Sequence, residues 1–298
     1  MKQLIRYSLI VVALAFASCK DDVNTEHVRV DVAESTHPND IYARENFTKV
    51  YNSRIVWRRD EINSDIDKFV VPPYEELVIP MMKVLQEFWI GPFNTTPEGK
   101  ALVDQLFPPE IVMLGSGQYN VEAGTITLGI AEGGVRITLT QVNEYDMTDA
   151  DWLQQQLRTI LHEFAHITHQ SKSLPDGWKD ISSNRTGTNW VNISDAQAIT
   201  MGYVSPYASS SAAEDFADFV GIFLATPKEE FEANYLSLED CYGLTDAEEI
   251  EACLERQVGI TILNEKYDVV VSYYNEKFGI DILALRDEIE SRIAAVTE

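Results

Sequence analysis

Residues 161–170 read LHEFAHITHQ and hold three of the five histidines in the 298-residue chain. His162 and His166 are four residues apart, so on a helix their side chains lie on one face, one turn apart. Two imidazole nitrogens at this spacing can bind one zinc ion. Glu163 directly follows the first histidine and is placed to act as general base on a metal-coordinated water. The stretch therefore predicts a helix that carries a zinc site.

The third histidine, His169, continues the same helix face but lies seven residues after His162, about 10 Å along the helix axis. Donor atoms around a tetrahedral zinc are only about 3.3 Å apart, so the three histidines cannot all bind one ion. The metzincin pattern HExxHxxGxxH is also absent, because His169 stands at its glycine position and Lys172 at its third histidine. We predict that His169 supports a ligand or is structural.

A catalytic zinc needs a third protein ligand, and residues 205–224 (SPYASSSAAEDFADFVGIFL) offer one. Glu214 and Asp218 stand four residues apart on a predicted helix that is otherwise strongly apolar. Carboxylates are costly to bury on such a helix unless they bind a metal or a partner. We predict that Glu214 binds zinc and that Asp218 accepts a hydrogen bond from the far nitrogen of a ligating histidine. The alternative is an ordinary capping box, in which Glu214 only holds the helix start together with Ser211.

The chain around these motifs predicts an α+β fold, with an N-terminal mixed sheet, the histidine helix and a mainly helical C-terminal part. The predicted domain covers residues 39–298, divided into an α/β part (39–170) and a helical part (171–298). Strands are predicted at 53–58, 110–114, 125–130 and 135–142, helices at 75–90, 148–170, 214–224, 248–263 and 281–294, and a polar loop at 171–211.

The last predicted strand, VRITLTQV at 135–142, alternates apolar with polar residues and is expected to be half-buried. Its polar face holds Arg136, Thr138 and Thr140. We expect these residues on an edge strand that binds an extended peptide substrate. At the start of the histidine helix, Thr148 with Asp151 three residues later is an imperfect capping box.

The first twenty residues, MKQLIRYSLIVVALAFASCK, resemble a bacterial lipoprotein signal. Lys2 and Arg6 form a positive region, followed by an apolar stretch too short to span a membrane. The expected outcome is removal of residues 1–18, lipidation of Cys19, and a flexible tether over 19–38. An ordinary secretory signal with an incidental cysteine is the alternative.

Composition limits the partners of the chain and its compartment. The formal net charge is −25, from 48 acidic and 23 basic residues, so the chain is not expected to bind nucleic acid. Residues 20–22 (KDD) look like the signal that sends some bacterial lipoproteins to the cell surface. Cys241 and Cys253 could form a disulfide in an exported protein, or both could be free.

The pattern HExxH followed by ExxxD is that of the gluzincins, of which thermolysin is the best-known member. Tyr207, seven residues before Glu214, is similar in placement to the active-site tyrosine of lethal-factor-type peptidases, which faces the metal. Together with EGGVRITLTQVNEYD, GYVSPYASSSAAEDFADF and YYNEKFGIDILALRDEI, these motifs resemble the substrate import-associated zinc metallohydrolase lipoproteins over about residues 40–295.

The resemblance implies a gluzincin-like fold and a zinc peptidase anchored at the outer membrane, beside a nutrient importer. Tyr207 would stabilise the oxyanion of the tetrahedral intermediate. The aminopeptidase motif GxMEN is not present, which favours an endopeptidase. The competing hypothesis is a capture lipoprotein that binds peptide or glycan without cutting it, although a pure binder has no need of the general base Glu163. A purely structural lipoprotein would not explain the metal-binding residues.

Overall fold

The computed structural model describes residues 35–58, 68–120, 125–127, 129–131 and 136–297, which form an α+β fold that is mostly helical. The predicted signal at 1–18, the lipidation site Cys19 and nearly all of the predicted tether lie outside these residues. The first described helix begins at Pro38, where the tether was expected to end. The division of the domain after residue 170 stays a prediction.

The elements of the described residues are as follows. The strands are β1 (Arg54–Val56), β2 (Lys68–Phe69), β3 (Glu110–Met113), β4 (Gln118–Asn120), β5 (Thr125–Thr127), β6 (Gly129–Ala131) and β7 (Arg136–Leu139). The helices that we label are α1 (Pro38–Ala43), α2 (Glu75–Val84), α3 (Pro97–Leu106), α4 (Ala150–Lys172), α5 (Trp178–Ile181), α6 (Asp195–Thr200), α7 (Ala212–Ala225), α8 (Ala247–Phe278) and α9 (Ile282–Thr297). Helical turns extend or join them at Arg44–Thr48, Lys49–Tyr51, Leu85–Ile90, Gly91–Phe93, Gly187–Asn192, Tyr207–Ser210, Lys228–Phe231 and Glu232–Leu236.

The main sheet has the strand order β1-β3-β7-β6, in which the first three strands are parallel and β6 is antiparallel. Ile55, Ile111 and Ile137 are in register across the parallel strands and belong to the main hydrophobic core. On the opposite face, Val56 and Val112 join a second, smaller cluster. The parallel part of the sheet is therefore buried on both faces, as parallel sheets generally are. Strands β2, β4 and β5 form a separate antiparallel sheet.

The prediction that Arg136, Thr138 and Thr140 line a substrate-binding edge was wrong. Strand β7 pairs with β3 on one side and with β6 on the other, so it has no free edge. Thr138 and Thr140 are 5% and 1% exposed, and Arg136 Nε donates to Glu110 Oε1 at 2.5 Å. Threonine is small and β-branched, so it packs inside a sheet as well as on its surface. Among the described strands, β6 ends the sheet on this side.

Helix α4 is the predicted histidine helix, displaced by two residues at each end. Its N-cap is Asp149 rather than Thr148, and Asp149 Oδ1 accepts hydrogen bonds from the backbone N–H groups of Asp151 and Trp152 at 3.0 and 3.2 Å. Thr148 instead donates to Asp146. An aspartate N-cap satisfies N–H groups of the first turn and places a negative charge at the positive end of the helix.

The C-terminal half is more helical than the sequence predicts. The expected loop at 171–211 contains α5 and α6, and the helix expected at 248–263 continues as α8 to Phe278. Lys266 is a charged residue at a fully buried position of α8. It therefore breaks the alternation of apolar and polar faces by which a helix is recognised in a sequence. Its Nζ donates to Asp215 Oδ1 at 2.7 Å and to the Gly202 carbonyl at 2.6 Å. This ion pair fixes α8 to α7 at Asp215, the residue that follows Glu214.

Two of the three cysteines of the chain form a disulfide. The Cys241–Cys253 disulfide, with the two Cα atoms 5.9 Å apart, ties the turn before α8 to the first part of that helix. The structure therefore decides between the bonded and free alternatives. No helix among the described residues is long and apolar enough to cross a membrane.

Candidate metal centre

The close approach of two helices brings the candidate ligands together. His162 and His166 project from α4, and Glu214 lies in the first turn of α7. At Gly221 of α7, an added Cβ would lie 2.9 Å from the Arg158 carbonyl oxygen and 3.0 Å from His162 Cβ. The helices can pack this closely only because position 221 has no side chain, which is a usual role of glycine at a crossing.

The three donor atoms form a nearly equilateral triangle. His162 Nε2 lies 3.2 Å from His166 Nε2 and 3.2 Å from Glu214 Oε2, and His166 Nε2 lies 3.1 Å from the same oxygen. Donors around a tetrahedral zinc, each at about 2.0–2.1 Å, are separated by about 3.3 Å. Two imidazoles and one carboxylate are also a usual donor set of catalytic zinc. The residues present therefore fit a zinc ion.

The far nitrogen of His162 faces a buried carboxylate. Asp218 Oδ1 lies 3.4 Å from His162 Nδ1, as the four-residue spacing from Glu214 predicts. Arg158 Nη2 donates to the same carboxylate at 3.0 Å, and Ser205 Oγ donates to its other oxygen. A carboxylate behind a ligating imidazole fixes the tautomer and orientation of the ring.

The far nitrogen of His166 faces a second imidazole. His166 Nδ1 and His169 Nε2 are 3.1 Å apart, so a hydrogen bond joins them. The rings meet edge to face, and His169 in turn packs edge to face on Phe216 of α7. His169 thus lies outside the donor triangle and contacts the candidate ligand His166.

The two predicted catalytic residues are both neighbours of His162, Glu163 along the chain and Tyr207 in space. Glu163 lies beside His162 and is only 4% exposed. Tyr207 lies in the turn before α7, with its ring centroid 6.1 Å from that of His162, and is 38% exposed. On its other side the Tyr207 ring meets Trp190 edge to face at 5.1 Å. The metal site therefore has a buried acidic side and a solvent-accessible aromatic side.

The carboxylates of Glu214 and Asp218 favour a positive charge at the donor triangle. Burial lowers the pKa of His162, but hydrogen bonds from its ring to Asp218 and Glu214 outweigh burial and raise the pKa to about 10. Burial raises the pKa of Glu214, yet the two histidines bring it down to about 2. Arg158, His162 and Ser205 likewise overcome burial and hold the pKa of Asp218 well below its usual range. A divalent cation between the donors would satisfy the same carboxylates.

Of the two hydrogen bonds of a capping box, the structure shows the one from the Glu214 backbone N–H to the Ser211 side chain. Ser211 is the N-cap of α7, and its Oγ accepts from the Glu214 backbone N–H at 3.2 Å. The Glu214 carboxylate, however, turns towards the histidines. One residue can thus supply a backbone donor to the cap and a side-chain donor to the metal.

Comparison with known proteins agrees with this geometry. The sequence profile of the family described as "Putative zinc-binding metallo-peptidase" matches residues 33–283. The chain belongs to this family of zinc-binding metallopeptidases. Its cofactor is accordingly zinc, and the donor triangle is where the described residues can hold it. No curated protein was found to match the chain.

A solved structure adds support for the fold. It is the crystal structure, at 2.10 Å resolution, of a putative zinc-binding metallopeptidase from Bacteroides caccae. The two chains are 29% identical with a TM-score of 0.68, and the match covers 87% of this chain and 92% of the other. This chain therefore shares its overall architecture with that metallopeptidase over most of its length.

Three residues that shape the site were not predicted from the sequence. Arg158 stands one turn before His162 on the same face of α4, and that spacing could have suggested a contact. Gly221, inside an apolar helix, could have suggested a close helix crossing. Ser205 gives no signal at all, because its contact with Asp218 depends on how the chain turns before α7.

Replacing Asp218 tests its role behind His162. Asp218→Asn keeps the shape of the side chain but removes the negative charge that orients the imidazole. We expect zinc affinity to fall by about 10- to 100-fold, the usual effect of losing such a partner. Titration with a competing chelator measures this affinity. An unchanged zinc affinity would show that Asp218 only stabilises the helix pair.

Proposed function

We propose that this protein is a zinc-dependent peptide hydrolase of the gluzincin type, with His162, His166 and Glu214 as metal ligands. The observation that carries the proposal is the donor triangle with sides of 3.1 to 3.2 Å, with the buried Glu163 next to the ligand His162 in the chain. A structural zinc site is normally closed by four protein ligands. Three donors next to a solvent-accessible side fit a catalytic site better.

The proposed chemistry is the addition of water to a peptide carbonyl. When bound, zinc acts as a Lewis acid and lowers the pKa of a coordinated water to about 7. Glu163 would accept the proton that the attacking water loses and would then deliver it to the leaving amine. Its burial keeps bulk water from competing for the carboxylate, which makes proton transfer more directed.

Tyr207 supplies a hydrogen-bond donor for the developing oxyanion. Burial, together with the charge and hydrogen bond of Glu214, raises the pKa of Tyr207 well above its ordinary value. The phenol therefore stays protonated at any physiological pH, as a donor must. The residue is 38% exposed, so part of its side chain is accessible from solvent.

The substrate in this proposal is an extended peptide, and the enzyme is an endopeptidase. Since β7 is paired on both sides, the peptide would add to β6, which ends the main sheet and lies against α4. Backbone hydrogen bonds along a strand edge bind peptides with little dependence on sequence. Such an edge accommodates chain on both sides of the scissile bond.

We further propose that the protein is a lipoprotein of the outer membrane, displayed at the cell surface and acting beside a nutrient importer. The support is the N-terminal sequence, with its short apolar region ending at Ala17-Ser18-Cys19, and the family resemblance. In a bacterial host, Cys19→Ala should release the protein from the membrane fraction or block its processing. An unchanged membrane fraction, together with no lipid mass on the wild-type N-terminus, would contradict the anchor.

The experiment that tests the hydrolase is removal and return of the metal. Chelation should abolish peptide cleavage, and one equivalent of zinc per chain should restore it. Cleavage that persists in metal-free protein, verified by elemental analysis, would exclude the proposed mechanism.

A further inference from the structure

A hydrogen-bonded connection runs from the candidate ligand His162 to the turn that carries Tyr207. We propose that Ser205 is a positioning residue that fixes the oxyanion donor Tyr207 relative to the zinc ligand His162. The inference rests on the proposed function, because it assigns Ser205 a role in the same reaction. It concerns a residue that makes no contact with the donor triangle itself.

The connection consists of three contacts. Ser205 Oγ donates to Asp218 Oδ2, and it accepts from the backbone N–H of Ala208 at 3.0 Å. Asp218 Oδ1 lies 3.4 Å from His162 Nδ1. Ala208 is the neighbour of Tyr207 in the helical turn Tyr207–Ser210. One hydroxyl thus bonds both to the residue behind the metal ligand and to the backbone beside the tyrosine.

The connection is buried and therefore well defined. Ser205 and Asp218 are 8% and 3% exposed, and Ala208 is fully buried. Hydrogen bonds are stronger away from water, and a buried polar group that loses its partner destabilises the folded protein. Arg158 holds the other side of the Asp218 carboxylate at 3.0 Å. The serine is thus held between a fixed carboxylate and a fixed backbone group.

Ser209 and Trp190 also hold this turn, through contacts that do not involve Asp218. Ser209 Oγ donates to the Pro206 carbonyl at 2.6 Å and lies 2.6 Å from Thr186 Oγ1. Trp190 packs on the Tyr207 ring. These contacts fix the turn against the preceding loop. Within the described part of the chain, the Ser205 hydroxyl hydrogen-bonds both to this turn and to the carboxylate behind His162.

Such a connection matters because an oxyanion donor works only at the right distance from the metal. A displacement of about 1 Å in a reacting group can cost about 100-fold in rate. Loss of the Ser205 hydroxyl should therefore affect kcat mainly through Tyr207, and zinc affinity mildly through Asp218. A purely structural serine would affect neither in particular.

The test compares Ser205 with Ser209, a second buried serine that lies within the turn Tyr207–Ser210. Ser205→Ala and Ser209→Ala each remove one buried hydroxyl, but only the first disconnects Asp218. We expect Ser205→Ala to lower zinc affinity by about 3-fold, less than the 10- to 100-fold expected when a ligand's own partner is lost. We expect Ser209→Ala to bind zinc as the wild type does. Competition with a chelator gives both affinities, without any substrate.

A double-mutant cycle with Tyr207→Phe supplies the decisive readout. With zinc saturated and kcat normalised to zinc-loaded protein, Ser205→Ala should lower kcat by about 10-fold in the wild type. In the Tyr207→Phe background the same change should lower kcat by less than about 2-fold, because the hydroxyl that Ser205 positions is already gone. KM should change little in either background. General loss of folding would lower kcat equally in both.

Equal losses of kcat in both backgrounds, or equal effects of Ser205→Ala and Ser209→Ala on zinc affinity, would overturn the inference. The proposed function fails in a different way. If zinc-loaded wild type cleaves no peptide, the peptidase is rejected. The zinc affinities alone then decide whether Ser205 supports the ligand side, and no difference between the two serine variants would reject that as well.

Discussion

Glu163→Gln is expected to lower kcat for peptide cleavage by about 100-fold or more. Glutamine keeps the size of the side chain but cannot accept the proton that the attacking water must lose. Glu163 Oε atoms are not part of the donor triangle, so the zinc content should equal that of the wild type. Peptide binding and the melting temperature should also stay near wild type. Steady-state kinetics measures the loss of kcat, and elemental analysis shows whether the zinc content is unchanged.

Asp218→Asn is the matched control for this experiment. It also replaces a buried carboxylate near the metal by its amide, but it leaves the proposed base in place. At saturating zinc it should retain far more activity than Glu163→Gln. If the two variants lose activity equally, the effect of Glu163 is electrostatic rather than proton transfer.

Glu214→Ala is expected to weaken zinc binding by more than about 100-fold, because it removes a ligand rather than a partner of a ligand. The same change should also disturb the two histidines, whose Nε2 atoms lie 3.1 and 3.2 Å from Glu214 Oε2. Isothermal titration or chelator competition gives the affinity. Activity at limiting zinc should fall in parallel.

Ser211→Ala separates ligation from helix capping in this experiment. It removes the side chain that caps α7, at a cost of about 0.5 to 2 kcal/mol of stability, but leaves the Glu214 carboxylate in place. It should melt earlier and still bind zinc tightly. The ligand assignment is rejected if Glu214→Ala binds zinc like the wild type and behaves only as Ser211→Ala does.

Local spacing accounts for most of what could be predicted from the sequence. His162 and His166 are four residues apart on one helix, so their relative position follows from helix geometry alone. Glu214 lies 48 residues from His166. It could still be singled out, because a carboxylate on an apolar helix needs a partner, and zinc needs a third ligand.

Predictions that depended on tertiary neighbours were less successful. The alternation in β7 correctly indicated a strand, but it could not show that β6 covers the edge expected to be free. Lys266 interrupts the apolar pattern of α8. It can be buried there because it forms an ion pair with Asp215, which lies on a helix distant in sequence. Ser205 could not be found for a similar reason, since its partner Asp218 comes close only after α7 has packed against α4.

Digestion of a broad peptide library by the zinc-loaded protein, followed by mass spectrometry, tests the central claim most directly. The account predicts cleavage at internal peptide bonds by the wild type, and none above background by Glu163→Gln carrying equal zinc. The account is contradicted if the zinc-loaded wild type leaves the whole library intact while Glu163→Gln binds its peptides equally well. That result would identify a peptide-capture protein with a peptidase fold.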